Sequence, residues 1–275
     1  MKKRFSLGKV VSTVFLVLWL VLSLFPLYWL LCFSLKDTQE IFSGNLIGLP
    51  TQWLFSNYAN AWGSGGNISL FLLNSVIDTA ATLVLTSLFG FMCAYGLLRM
   101  RWKGQKLVMT YIMMGMMIPM HAALYPLTET LLPLMKTHWA LIIPYAAFNI
   151  PITILILSGF ITSIPYEMEE AACIDGSGIY RTAFTIILPM MIPAISTAAI
   201  FVFLQVWNEL LLATIFTTGK VRTLTVGIQQ MSGQYQTDYG SMGAALVIAT
   251  LPTLILYICM SGQVQKSLIA GAVKG

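Results

Sequence analysis

The sequence predicts an all-α integral membrane protein of six spanning helices, and three observations carry that expectation. Of its 275 residues 57% are hydrophobic and 9% charged, against about half and about a quarter in soluble domains. The apolar residues fall in long continuous runs rather than in alternation. Lipid offers backbone groups no hydrogen-bond partner, so continuous runs select helices over a β-barrel. The 15 Lys and Arg residues punctuate these runs instead of forming the concentrated basic face that nucleic acid requires, although the net charge is +5.

The first run, Val10 to Leu35, follows Lys2, Lys3, Arg4 and Lys9 in the manner of a signal peptide. At 26 residues without a charge it is too long for a signal core, and no small-residue cleavage site follows, so it reads as an uncleaved first span. Five more runs follow: Leu70 to Leu98, Leu107 to Leu127, Trp139 to Thr162, Met190 to Phe216 and Met242 to Gly262. Each is long enough to cross about 30 Å of hydrocarbon at a rise of about 1.5 Å per residue. They make one membrane domain, residues 10–262, between a short N-terminus (1–9) and a tail (263–275). Cys32, Cys93, Cys173 and Cys259 are scattered and show neither a disulfide framework nor a metal-ligand spacing.

Orientation follows from the basic residues. With the N-terminus inside, 11 Lys and Arg lie on one side and 4 (Lys36, Lys136, Lys220 and Arg222) on the other, which places both termini in the cytoplasm. The cytoplasmic side then carries the loop from Met100 to Lys106 and the loop 163–189. Outside, Trp53, Tyr58 and Trp62 fit an interfacial aromatic belt. The outer segment from Thr217 to Ser241 holds Gln229, Gln230, Gln234, Tyr235 and Gln236, many side-chain donors for contact with an external protein.

The loop 163–189 is the informative piece. Pro165 stands near the start of a short helix, and Glu167, Glu169 and Glu170 occupy its first turns, where the helix dipole favours acids. Gly176 and Gly178 break the chain, and a second short helix, Ile179 to Ile187, runs into Leu188-Pro189 at the membrane. An exposed helical elbow, apolar on one side, suits docking into a groove on a partner protein.

The spacing Glu170-Ala171-Ala172, three residues, Gly176, nine residues, Ile186, one residue, Leu188-Pro189 resembles the EAA loop of binding-protein-dependent ABC importer permeases. With Asp175 before Gly176, and Phe184 before the Ile-Leu-Pro end, it is similar to the carbohydrate-uptake branch that includes the maltose-transporter permeases. The likeness extends to Asn57-Tyr58, Asn74-Ser75, Ala94-Tyr95 followed by Arg99, Trp207-Asn208-Glu209, Thr223-Leu224, and the terminal Gly271-Ala272-Val273-Lys274-Gly275. Gly178 stands where the family often has a larger residue, and Cys173 takes a variable position.

The resemblance implies the six-helix transmembrane domain of a type I ABC importer with cytoplasmic EAA coupling helices. It implies one of two permeases for a sugar or related polyol, in a bacterial cytoplasmic (inner) membrane. The implied partners are a pair of ATP-binding subunits, a second homologous permease and an external solute-binding protein. The loop holding Gly176 would dock in a cleft of the ATP-binding subunit, and the tail Gly271 to Gly275 would reach the same subunit. No cofactor is expected on this chain, and ATP and Mg belong to that partner. A phosphate-cradling loop needs G-x-x-x-x-G-K-[ST], whereas Gly219-Lys220 is followed by Val221 and has Thr214 five residues earlier. The chain itself is therefore not expected to be an enzyme.

Among the intramembrane polar residues, Asp78 lies in the second run. Glu209 lies 19 residues into the fifth, about 28 Å from its inner boundary at 1.5 Å per residue, which suits a gate or structural tie. Asn149, Gln205 and Asn208, with Glu209, are candidates for a translocation path, where amides meet sugar hydroxyls. The same side chains serve elsewhere as ties between helices. Tyr95 and Trp207, which could stack on a sugar face, read rather as belt or packing residues, and the Met113 to Met120 stretch next to Pro119 reads as adaptable packing, not a metal relay. His121 and His138, near the outer ends of their runs and isolated from acidic or Cys partners, read as interface or packing residues. Three rivals remain: an ion-coupled secondary transporter using Asp78, an ABC permease for a non-sugar solute such as glycerol phosphate, and a membrane-bound enzyme. The enzyme would need clustered His, Asp or Glu, and the one acidic cluster, Glu167 to Glu170, is accounted for by the helix dipole and docking.

Overall fold

The structure, a computed structural model, describes residues 7–63, 66–233 and 237–272, and every regular element among them is helical. By length and composition five helices among the described residues suffice to cross a membrane, and a bent pair, Gln105–Gly115 with Met120–Leu134, brings the number to six if the pair is one span. Helix α1 is Leu7–Ser34. The short α2 (Thr38–Phe42) and α3 (Ser56–Trp62) precede the long α4 (Ile68–Leu98).

The third predicted span, Leu107 to Leu127, is not one helix. α5 (Gln105–Gly115) ends in tight turns in which the amides of Met116, Met117 and Ile118 bond back to Met113, Met114 and Gly115. Pro119 has no amide to continue the ladder and restricts Ile118. The chain resumes through a 3₁₀ turn, Met120–Ala123, into α6 (Leu124–Leu131), and the two halves are bent by 88°. α7 (Trp139–Ile161) keeps Pro144 and Pro151 within an unbroken span.

After α7 come α8 (Glu167–Ile174), α9 (Ile179–Thr182), a π-helical turn (Ala183–Ile187) and α10 (Leu188–Trp207). The fifth predicted span, which was to end at Phe216, stops at Trp207, and a separate α11 (Leu211–Phe216) follows. α12 (Leu224–Met231) and α13 (Tyr239–Ala272) complete the chain. Gln234, Tyr235 and Gln236, and Val273 to Gly275 of the tail, lie outside the described residues.

The chain divides into two compact units, residues 1–69 with 227–251, and residues 70–226 with 252–275. In the first, Asn57 and Tyr58 attend to the end of α1, whose last carbonyls have no helical partner. The Asn57 amide donates to the Ser34 and Lys36 carbonyls at 3.0 and 2.9 Å, and the Tyr58 hydroxyl lies 2.7 Å from Ser34 Oγ. Lys36 is fully buried, its ammonium donating to the Asn45 carbonyl at 2.5 Å. α13 passes this corner at Gly240, where an added Cβ would stand 2.3 Å from the Lys36 carbonyl oxygen.

The second unit has two cores. One joins Phe91 and Tyr95 of α4 to Leu157 and Ile161 of α7, to Ile187 near the end of the loop and to Met191 just after it. The other joins Leu141 and Tyr145 of α7 to Val202 and Val206 of α10 and to Leu212 and Phe216 of α11. Hydrocarbon is as apolar as Leu, so these contacts stabilise by close packing, and polar ties add to them. Residues separated in sequence meet here. Asn74 donates to the carbonyls of Lys220 and Arg222, each at 2.8 Å, and the Leu224 amide donates to Ser75 Oγ at 2.8 Å. The pairs Asn74-Ser75 and Thr223-Leu224 are thus two sides of one junction.

Candidate functional site

The loop 163–189 forms the predicted elbow. α8 closes with paired bonds: the Gly176 amide donates to the Cys173 carbonyl at 3.0 Å and the Ser177 amide to the Ala172 carbonyl at 2.8 Å. This cap requires a left-handed residue just past the helix, and Gly176 has φ +78°. Among the described residues, its two chain neighbours aside, no atom lies within 4 Å of a Cβ built on Gly176, so its requirement inside the chain is conformational rather than steric. Ala172 is buried, whereas Glu170, Ala171, Asp175 and Gly176 are exposed.

The tip is apolar and open. Ile174 is 86% exposed, Ile179 57% and Tyr180 78%. The elbow's second arm does not stop at Ile187 but continues through the π turn, where the Leu188 amide reaches the Ala183 carbonyl, into α10. Pro189 supplies no amide to Thr185, the partner an α-helix would want, and the wider turn accommodates that loss. Ile186, Leu188 and Pro189 therefore mark the junction between elbow and span.

Asn149, Gln205, Asn208 and Glu209 all line one cavity of about 700 Å³, within the 300–1,000 Å³ typical of small-molecule sites. Met116, Met120 and His121 at the bend after α5, with Tyr145 and Phe148 of α7, complete much of the wall. Residues of the break between α5 and α6 thus line a cavity, a setting in which irregular backbone within a membrane protein is tolerated. Asn149 is 3% exposed, its amide donates to the Tyr145 carbonyl at 2.8 Å, and its Oδ1 has no partner among the described residues. Among the described residues no Lys or Arg lines the cavity.

Glu209 is a tie. Its carboxylate accepts from the Tyr145 hydroxyl at 2.5 Å and from the amides of Leu212 and Ala213 at 2.8 and 3.0 Å. It thereby caps α11 and binds it to α7, and the Thr225 hydroxyl donates to its own carbonyl at 2.8 Å. The break at residues 208–210 exists because this side chain takes the first amides of the next helix. Tyr145 had no signal in the sequence beyond being aromatic.

His138 corrects the sequence reading. It is not isolated: its Nδ1 lies 2.7 Å from Asp78 Oδ1, across 60 residues, at the start of α7. Asp78 is 1% exposed; its Oδ1 meets His138, and its Oδ2 has no partner among the described residues. Among the described residues no group of three or more His, Cys, Asp or Glu is arranged to hold a metal.

Comparison with known proteins agrees with this architecture. Residues 86–268 match the family described as "Binding-protein-dependent transport system inner membrane component". The "Probable ABC transporter permease protein YurM" of Bacillus subtilis is 36% identical, over 100% of this chain and 91% of its own. The "Diacetylchitobiose uptake system permease protein NgcG" of Streptomyces coelicolor is 37% identical, over 96% of this chain and 88% of its own. Among solved structures, a chain of a bacterial ABC transporter that imports the acidic polysaccharide alginate superposes with a TM-score of 0.81. At 20% identity, covering 95% of this chain and 98% of that one, it shares the fold.

Proposed function

The chain belongs to the family of binding-protein-dependent transport system inner membrane components, and from that premise we propose that it is a permease subunit of an ATP-driven importer for a sugar or related polyol. Its loop 163–189 is the lever. The observation that carries this reading is the elbow tip: three large apolar side chains, Ile174, Ile179 and Tyr180, held in the open by a rigid glycine cap. Such a surface fits a partner's cleft.

On this reading Glu170, Ala171, Ala172, Asp175, Gly176, Ile186, Leu188 and Pro189 form the coupling element. The tail from Gly271 to Gly275 reaches the same ATP-binding subunit. ATP and Mg are held by that subunit, and closure of a pair of such subunits swings the spans between inward-open and outward-open states. A second permease and an external solute-binding protein complete the assembly. The excess of basic residues around the elbow end supports cytoplasmic termini in a bacterial inner membrane.

The sugar assignment is supported by the diacetylchitobiose relative and by the cavity. Amides of Asn149, Gln205 and Asn208 serve as the path's donors and acceptors for hydroxyl groups. Phe148 and the Met and Ile side chains suit the apolar faces of a sugar ring, and Glu209 shapes the cavity rather than meeting solute. Purification of the tagged chain from its native membrane in mild detergent tests the assembly: a P-loop ATPase and a second permease are expected with it. Recovery of the chain alone as a stable homo-oligomer would contradict the proposal.

A further inference from the structure

We propose that Arg99 is a positioning residue that locks the elbow to α4, so that force on the tip is passed to that span. The proposal rests on the reading of the loop as a lever. Arg99 directly follows α4, and its side chain is 1% exposed. Three residues of the elbow's first arm grip it. Nη2 donates to the Ile164 carbonyl at 2.6 Å, Nε lies 3.0 Å from Glu169 Oε1, and the guanidinium carbon stands 4.2 Å from the centre of the Tyr166 ring. Tyr166 closes the connection by donating its hydroxyl to the Leu98 carbonyl at 3.2 Å, one of the last-turn carbonyls of α4 that lack helical partners.

The chemistry is specific to arginine. A planar guanidinium donates to the Ile164 carbonyl and lies with its face on the Tyr166 ring, while its Nε pairs with the Glu169 carboxylate by charge and proximity, without hydrogen-bond alignment; an ammonium cannot reproduce this combination. Burial adds stringency, because either charge left without the other is strongly disfavoured. Covalent connections alone leave α8 free to pivot, since Ser163 to Tyr166 joins it to α7 and the Gly176 turn joins it to α9. Arg99 removes that freedom relative to α4. α4 is 31 residues, about 46 Å at 1.5 Å per residue. Its far part holds Asp78 against His138 and carries Asn74 and Ser75, which fasten residues 220–224. The clamp therefore connects the exposed tip to the opposite end of the bundle through a single helix.

The test uses Arg99→Gln, Arg99→Lys, Glu169→Gln and the double variant Arg99→Gln/Glu169→Gln in the full chain. In detergent, trypsin cleavage after Arg181 in the elbow reads the clamp, with cleavage after Arg222 as the internal control. Arg99→Gln is expected to raise cleavage after Arg181 at least fivefold and leave the control unchanged, with Arg99→Lys intermediate. The double variant should fall within twofold of Arg99→Gln alone, because Glu169 has then already lost its partner. In the complex with the ATPase that purifies with the chain, reconstituted into vesicles, diacetylchitobiose carried per ATP should fall at least tenfold in Arg99→Gln while assembly persists. Glu169→Gln, at a partly exposed site, gives the same reading if Arg99→Gln fails to insert.

Unchanged cleavage after Arg181 overturns the clamp. Faster cleavage with unchanged transport per ATP overturns its role in coupling, and a double variant showing the full product of both single effects overturns the Arg99–Glu169 pairing. If no ATPase purifies with the native chain, the importer reading fails, yet the cleavage series still decides the clamp.

Discussion

Gly176→Pro is expected to abolish sugar uptake while the chain still inserts and reaches normal levels in the membrane. Proline fixes φ near −65°, whereas Gly176 sits at +78°, and it also deletes the amide that donates to Cys173. The cap that orients the tip is lost on both counts, but no spanning helix is touched. The strain for an alanine at a left-handed position is about 1–2 kcal/mol, and Gly176→Ala meets no neighbouring atom. Alanine should therefore weaken uptake and leave it measurable, and asparagine, which tolerates that conformation, should be milder still. Uptake assays on equal amounts of membrane-inserted protein give the ranking. Normal uptake by the proline variant would remove the elbow from the mechanism.

Glu209→Ala is expected to be the most damaging change outside the elbow. It leaves the Tyr145 hydroxyl and the amides of Leu212 and Ala213 without their acceptor. Each unsatisfied buried donor costs about 1–3 kcal/mol, so α11 should come loose from α7 and the cavity wall should collapse. Tyr145→Phe removes one donor and leaves the carboxylate two, and its effect should be clearly smaller. Thermal unfolding in detergent orders the pair, with the melting temperature falling further for Glu209→Ala. Equal stability of Glu209→Ala and the native chain would show that the carboxylate is not the tie described here.

What was legible in the sequence is the part governed by transfer of apolar residues from water and by local helix signals. The runs around α1, α4 and α7 emerge within three residues of their observed bounds, those around α10 and α13 start as closely but end nine residues late and ten residues early, and the elbow emerges from its acids and glycines. Two breaks escaped because hydropathy averages over them. Residues 116–119 are apolar, and Pro119 alone signalled the bend. The stretch 208–210 contains neither Gly nor Pro, and its cause is the Glu209 side chain reaching forward to α11.

Long-range polar pairs escaped for a related reason. His138 and Asp78 are 60 residues apart, and Arg99 and Ile164 are 65 apart, so no window shows them together. Glu169 illustrates the limit well: the helix dipole explained it adequately in sequence, and that explanation hid its partner. By contrast, the path candidates Asn149, Gln205, Asn208 and Glu209 do come together on one cavity, because each stands on the inward side of α7 or at the end of α10.

The central claim is that the tip of the 163–189 elbow sits in an ATP-binding subunit. A photo-crosslinking residue at Ile174, which is 86% exposed, tests it in native membranes, with the same probe at Phe55, 68% exposed on the opposite predicted side, as the comparison. The expected result is a covalent product between the Ile174 probe and a P-loop ATPase, absent from the Phe55 probe and lost from the Ile174 probe when Gly176 is also changed to Pro. Capture of that ATPase from Phe55 but not from Ile174 would contradict the account.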